Sequence, residues 1–207
     1  FSSLINTFSP SSFMSHSLAQ GTAYIMASEL AFILSNYVVH IGIARLLGGE
    51  AYGIFGVLLS LFMINRAFLN TGVSRATSKF IAENKAHSSS ILKTSWKIQF
   101  WMALGFMALY IFAASWLAEL LQDTSLTYYI VLIGVMVLPL AMLSLYTSGF
   151  MNGLKLFKEQ ALVKTVYPLL RVIFTLIFIF LGWGIFGALM GYLIAIILGL
   201  AWSIYLL

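Results

Sequence analysis

Charge is what this sequence has least of. Eleven Lys and Arg and six Asp and Glu are spread over 207 residues, so 8% of positions are charged, about a third of the share in an ordinary globular domain. With 61% hydrophobic residues and a mean hydropathy of +1.00, polar groups are too few to clothe a water-soluble surface. A soluble enzyme, a disordered chain and a nucleic-acid-binding domain are therefore excluded. Cysteine is absent, which removes disulfides, thiolate metal sites and cysteine nucleophiles. Alternation of apolar and polar residues is missing as well. The apolar runs are continuous, which rules out a membrane β-barrel. What remains is an all-α polytopic membrane protein.

A bilayer core about 30 Å thick takes roughly 20 apolar residues per helix. Six segments qualify: residues 22–46, 52–77, 91–116, 128–150, 161–181 and 185–207. The second is interrupted by Asn65, Arg66, Asn70 and Arg75, and its continuation toward Ala82 reads as an amphipathic extension leaving the membrane. Residues 1–19 are Ser-rich, lack Lys and Arg, and carry Phe1, Leu4, Ile5, Phe8 and Phe13. They fit a loose tail or a short interfacial helix, ahead of a six-helix lobe at 20–207. No basic region precedes the first span, so it is not a cleaved signal peptide. The chain starts at Phe1 rather than Met and ends at Leu207 inside an apolar run. Both features point to a longer protein.

Loop charges orient the spans. Lys79, Lys85, Lys93 and Lys97 outweigh Glu83, and Lys155, Lys158 and Lys164 outweigh Glu159. The turn after span three holds Glu119 and Asp123 and no base, and the turn after span five is uncharged. Basic and non-basic loops alternate, which by the positive-inside rule places both ends of the chain in the cytoplasm of a plasma-membrane protein. Arg45, beside Glu50, is out of place. Trp96, Trp101 and Trp116 fit interfacial aromatic belts, and Arg75 and Lys79 fit contact with lipid headgroups.

Gly149–Gly153 and Gly187–Gly191 match G-x-x-x-G, a spacing that lets helices approach closely in lipid. Residues 52–58 (YGIFGVL) echo 183–189 (WGIFGAL), a pattern that duplicated hairpins would leave. Residues 182–187 formally match G-x-G-x-x-G. They join two spans instead of following a strand, so no dinucleotide site is expected.

Charged side chains within the hydrocarbon are costly and mark cavities, partners or pathways. Glu29 lies about 10 Å into span one at 1.5 Å per residue. Arg66 lies deep in span two with Asn65 beside it and Asn70 a turn on. Arg171 lies in mid-span five, three residues after Pro168, whose missing N–H frees a carbonyl and permits a bend. Asn36 and His40 sit a turn apart on span one and read as a buried polar pair. Inward-facing Arg66 and Arg171, with Asn65 and Asn70, would make a positive cavity suited to a phosphate or diphosphate. Arginine stays charged and cannot carry protons, whereas Glu29 can, which makes it the candidate for ion coupling. No H-E-x-x-H, G-x-S-x-G or D-x-x-D occurs. No catalytic residue, cofactor or metal site is expected.

Residues 43–56 (IARLLGGEAYGIFG), 70–75 (NTGVSR) and 80–83 (FIAE) resemble the amino-terminal region of the polysaccharide, Wzx-like flippases. So do residues 146–153 (YTSGFMNG) with Phe157, and 181–189 (LGWGIFGAL). The pattern is an A-R-x-L-G helix end, a Tyr-Gly turn, a bent second helix and a basic loop, and the likeness covers most of 20–207. That family belongs to the exporter superfamily that also holds multidrug extruders of the MATE type. The resemblance implies the N-terminal lobe of a two-lobed transporter whose C-terminal lobe is missing here. It also implies a lipid-linked oligosaccharide, carried across the membrane on a polyprenyl diphosphate by alternating access. Arg66 falls where related flippases place a cavity arginine.

Two rival functions follow from other features. A cation-coupled multidrug exporter would want an acidic cavity, and Glu29 is the single acid within a span. A non-transport role, as a membrane scaffold or an intramembrane glycosyltransferase, is the other rival; a transferase would want acidic motifs in an aqueous loop, and the loops here are short and basic. Besides the saccharide and the missing lobe, membrane lipids are the expected partners.

Overall fold

The computed structural model describes residues 10–207, with side chains from Gly21 onward except that of Asn70. The expected tail at 1–19 falls mostly outside these residues. Among those described, all regular structure is helical: α1 (Pro10–Thr71), α2 (Val73–Glu83), α3 (Ser88–Leu120), α4 (Leu126–Ser144), α5 (Phe157–Phe180) and α6 (Gly184–Tyr205). A one-turn 3-10 helix, Lys85–His87, joins α2 to α3, and a π-helical stretch, Leu145–Met151, continues α4.

Five stretches are long and apolar enough to cross a membrane: Gly21–Glu83, Lys85–Leu120, Leu126–Met151, Phe157–Phe180 and Gly184–Tyr205. The first is two helical limbs meeting at Gly48, whose φ of 84° and ψ of 175° are not helical. A side chain disfavours that φ, so a glycine is what lets the chain turn here. The predicted spans leave the turn at 47–51, where the structure has it, but the family resemblance implies a Tyr-Gly turn at Tyr52-Gly53. The structure corrects this: one residue, Gly48, makes the break, and both Tyr52 and Gly53 are helical. Two other ends also move: the first limb begins at Pro10, well ahead of residue 22, and the second limb gives way to α2 after Thr71, ahead of residue 77, while the ends of the later helices lie within a few residues of those predicted.

The first limb of α1 and α5 run in the same direction. Gly21 packs at Phe157 and Gly42 at Leu176, and the polar pairs between them, Glu29–Lys164 and Asn36–Arg171, are both separated by 135 residues. The register is therefore constant along the pair. Its two polar rungs are seven residues apart, two helical turns or about 10 Å.

The core forms around α4. Its Ile130, Ile133, Met136 and Val137 are fully covered, as are Phe55 and Leu58 of the second limb and Ala103, Ala114 and Ala118 of α3. Small residues bring the backbones together. A Cβ at Gly191 would lie 2.5 Å from the Thr175 backbone nitrogen, and one at Gly153 would lie 2.9 Å from the Ser78 carbonyl oxygen. Both G-x-x-x-G pairs thus sit at helix contacts, the later one between α6 and α5 and the earlier one against α2.

The second limb ends at Thr71, and Gly72 interrupts the path into α2. A break frees backbone carbonyls that need donors. The Leu69 carbonyl accepts from Ser74 Oγ at 3.2 Å, Gln99 Nε2 at 3.4 Å and Ser144 Oγ at 3.5 Å. Ser74 and Ser144 also bond each other at 3.0 Å, Thr77 donates to Ser95 at 2.7 Å, and Asn152 donates to Ser78 at 2.9 Å. These bonds tie α2 to α3 and to the helix that follows α4. α2 buries Ser74, Thr77 and Ile81, half-buries Val73 and Ser78 and exposes the other residues, which matches the amphipathic extension expected from its sequence.

Candidate functional site: a cation-lined cavity between α1, α4 and α5

Residues 29, 32, 36 and 40 of the first limb recur at helical spacing and share one face. Residues 164, 167 and 171 of α5 do the same. Where these faces meet the second limb and the end of α4, they enclose a cavity of about 230 Å³. Glu29, Arg66, Ser144, Thr147, Ser148, Lys164 and Tyr167 supply its polar lining, and Leu140, Leu143 and Val163 the apolar part. A recess of about 50 Å³ opens from it between Ser28, Phe32 and Tyr167.

Lys164 Nζ donates to Glu29 Oε1 at 2.9 Å. The pair is partly open, with 28% of the lysine side chain and 49% of the glutamate side chain exposed, so solvent screens it. Arg66 is half-buried and reaches the same cavity, its guanidinium carbon 4.2 Å from the Phe32 ring centroid. Two ion pairs exist among the described residues, Lys79–Glu83 and Lys164–Glu29, and neither involves Arg66.

Arg171 stands behind this lining and is 1% exposed. Its Nη2 donates to Asn36 Oδ1 at 2.8 Å, and its Nε has no partner. Phe32, Tyr192 and Tyr167 surround its guanidinium carbon at 5.1, 5.0 and 5.9 Å from their ring centroids. A buried cation without a carboxylate is costly. Ring faces and one amide oxygen offset part of that cost. The result is a cavity wall with two cations and one acid, and a third cation one ring away. Such a wall favours an anion with several oxygens.

The expected site residues fall into three groups. Arg66, Glu29 and Arg171 gather around Phe32 and Tyr167. Asn65 turns away, because neighbouring residues on a helix point about 100° apart. It is 1% exposed beside Tyr110 and neither amide atom has a hydrogen bond of good geometry; it is not among the cavity-lining residues. The Asn70 side chain lies outside the described residues. Asn36 and His40 share a face, but the pairs they make differ: Asn36 holds Arg171, and His40 Nδ1 lies 3.1 Å from Tyr52 Oη across the Gly48 bend. Both line a second, more open groove of about 600 Å³.

Lys164 and Phe32 are the residues that sequence reasoning missed. Lys164 counted as a loop charge, yet it lies well inside α5. The signal was present in its spacing of three and seven residues from Tyr167 and Arg171. Among the described residues, no group of His, Asp and Glu comes together as metal ligands.

A family model described as "Polysaccharide biosynthesis protein" matches residues 18–207. Stage V sporulation protein B of Bacillus subtilis (strain 168) is 26% identical over 195 residues, 90% of this chain and 38% of that protein. The chain thus spans well under half the length of this relative. Among solved structures, the chain is similar to an outward-facing multidrug resistance MATE family transporter of the MOP superfamily (TM-score 0.78, 16% identity, 91% of this chain and 44% of that one). It is similar too to a MOP superfamily transporter from Pyrococcus furiosus Vc1 (DSM3638), described as having reverse polarity of its binding pocket (TM-score 0.77, 18% identity, the same coverage). At these identities the solved structures speak for the fold. Helices apolar enough to span a membrane, this fold and a family match over nearly the whole chain agree: the chain is a multi-pass membrane protein and belongs to the polysaccharide biosynthesis protein family.

Proposed function

We propose that the chain is one lobe of a flippase that moves a lipid-linked saccharide across the cytoplasmic membrane by alternating access. In this reading the two limbs of α1 cross separately, which makes six spans with both ends in the cytoplasm. A second lobe completes the cavity, and membrane lipids surround it. The observation that carries the proposal is the cationic wall: Arg66 and Lys164 line the cavity, and Arg171 stands one ring behind. Guanidinium groups bind phosphate oxygens in a bidentate fashion, and lysine adds a point charge. A diphosphate linking a polyprenyl tail to sugars suits that wall, and the Ser148 hydroxyl beside it suits sugar hydroxyls.

Glu29 is the carboxylate we assign to ion coupling. Drawing Lys164 onto a bound phosphate would free it to take a cation. The same residue supports the second reading, cation-coupled extrusion of drugs. Its pairing with Lys164 speaks against that reading, since a cationic drug would have to displace the lysine. Replacing Arg66 and Arg171 together with Gln in the full-length protein should abolish export of surface glycan while the protein still reaches the membrane. Normal export by that variant would refute the binding role. Drug susceptibility of a deletion strain, unchanged from the parent under the flippase reading, separates the two.

A further inference from the structure

Phe32 is the side chain that Arg66 and Arg171 have in common. Its ring centroid lies 4.2 Å from one guanidinium carbon and 5.1 Å from the other. Two like charges gather on one apolar side chain only if something offsets their repulsion. An aromatic ring does so through the negative density on its faces.

The two cations differ in freedom. Arg171 is buried, bonded to Asn36 and boxed by Tyr167 and Tyr192. It cannot leave the ring without losing all of these at once. Arg66 lines the cavity and is half-buried. Among the described residues it has no carboxylate within ion-pair distance, and its close contact is the Phe32 ring. Phe32 itself lines the small recess beside Glu29, Arg66 and Lys164.

We infer that Phe32 is a positioning residue: its ring, pinned by the buried Arg171, holds the Arg66 guanidinium in the cavity wall and leaves its N–H groups for an oxyanion. An acidic partner would also hold Arg66, but it would occupy those N–H groups and cancel the charge. The ring holds it from the π face and leaves the charge available. The consequence for transport rests on the anionic reading of the cavity proposed above; the hold on Arg66 does not.

Fluorination tests the hold, because each fluorine drains the ring face while nearly preserving its shape. Mono-, di- and trifluorophenylalanine would be placed at position 32 of the full-length protein. The rate of phenylglyoxal modification at Arg66, mapped by mass spectrometry, reads how firmly the guanidinium is held. The rate should climb along the series to about three- to tenfold above the parent, in line with the usual strength of such contacts. Phe32→Tyr should match the parent and Phe32→Leu the trifluoro variant. Should Phe32→Leu fail to fold, the fluorinated series still decides. A flat rate along the series would overturn the inference. Calorimetry with inorganic pyrophosphate at low salt adds the second arm, and its affinity should fall in step with the rise in rate. If the rate climbs but pyrophosphate binds neither parent nor variants, Phe32 keeps its role and the anionic cargo is refuted instead.

Discussion

Two polar clusters interrupt the apolar interior, and they are built on opposite terms. At the junction of α1 and α2, Ser74, Ser95, Thr77, Gln99 and Ser144 are neutral, and their hydroxyls and the Gln99 amide nitrogen bond one another or the Leu69 and Ala141 carbonyls, which leaves the Gln99 Oε1 as the unpartnered atom among them. Ser144 also lines the edge of the cavity beside Arg66, and the bonds of the cluster join helices where a break has freed a carbonyl. Around Phe32, the groups are charged, cations outnumber acids, and a cavity opens beside them. Buried polar groups that satisfy each other stabilise a fold. Charges left without counter-ions do the reverse, and a fold keeps them for what they bind. The first cluster is architecture, and the second is the site in the function proposed for the chain.

The sharpest way to break this contrast is at Arg66. Arg66→Gln removes a charge that has no ionic partner among the described residues. Hydrogen bonds to charged groups are worth about 1.5–3 kcal/mol. Affinity for pyrophosphate should therefore drop by roughly one to two orders of magnitude, with glycan export falling alongside. The melting temperature should barely move. A variant that melts far lower while its folded fraction still binds pyrophosphate normally would make Arg66 a structural residue like those of the first cluster.

Substitutions in the junction should do the opposite, lowering stability and leaving anion binding alone. Gly153→Ala would set a Cβ 2.8 Å from the Ile81 Cβ and 2.9 Å from the Ser78 carbonyl oxygen, neither of which can swing aside. Overpacking of this kind costs about 1–3 kcal/mol. Gln99→Leu removes a donor to the Leu69 and Ala141 carbonyls at 3.4 Å each, for about 1 kcal/mol. Thermal melts in detergent and pyrophosphate titration of the remaining folded protein would read both effects. A loss of affinity per folded molecule would show that the junction couples to the cavity.

The contrast between the clusters also decided what could be read in advance. Apolar runs locate the helices because lipid demands about 20 such residues, and that demand is blind to detail. Arg66, Arg171 and Glu29 stood out because charge in oil is rare. Lys164 did not, since a lysine near a basic loop reads as part of it; only its placement opposite Glu29, in the constant register of two parallel helices, draws it inward. Asn65 was grouped with Arg66 by adjacency, although helical geometry turns the two about 100° apart. Phe32 was one aromatic among 17 phenylalanines, and nothing in its neighbours along the chain distinguishes it. Its role depends on two residues from other segments meeting at its ring. The turn that Gly48 makes is legible as the gap between the apolar runs 22–46 and 52–77. That one residue would suffice for it is not, because turn length depends on how closely the two limbs pack.

The smallest effect concerns the one acid in the site. Glu29→Gln keeps the shape and removes the charge that now occupies Lys164. The pair is half open to solvent, so breaking it should cost the fold little, since exposed pairs are worth about 0.2–1 kcal/mol. The freed lysine then meets an incoming anion without competition, and pyrophosphate affinity should rise by a factor of about 1.4 to 5, the same 0.2–1 kcal/mol seen from the other side. Lys164→Gln should lower it instead. If Glu29 also couples an ion to movement, the glutamine variant should bind better and transport worse, a split that a purely structural ion pair cannot produce. Weaker binding in the glutamine variant would mean that Glu29 holds Lys164 in place for the ligand rather than competing with it.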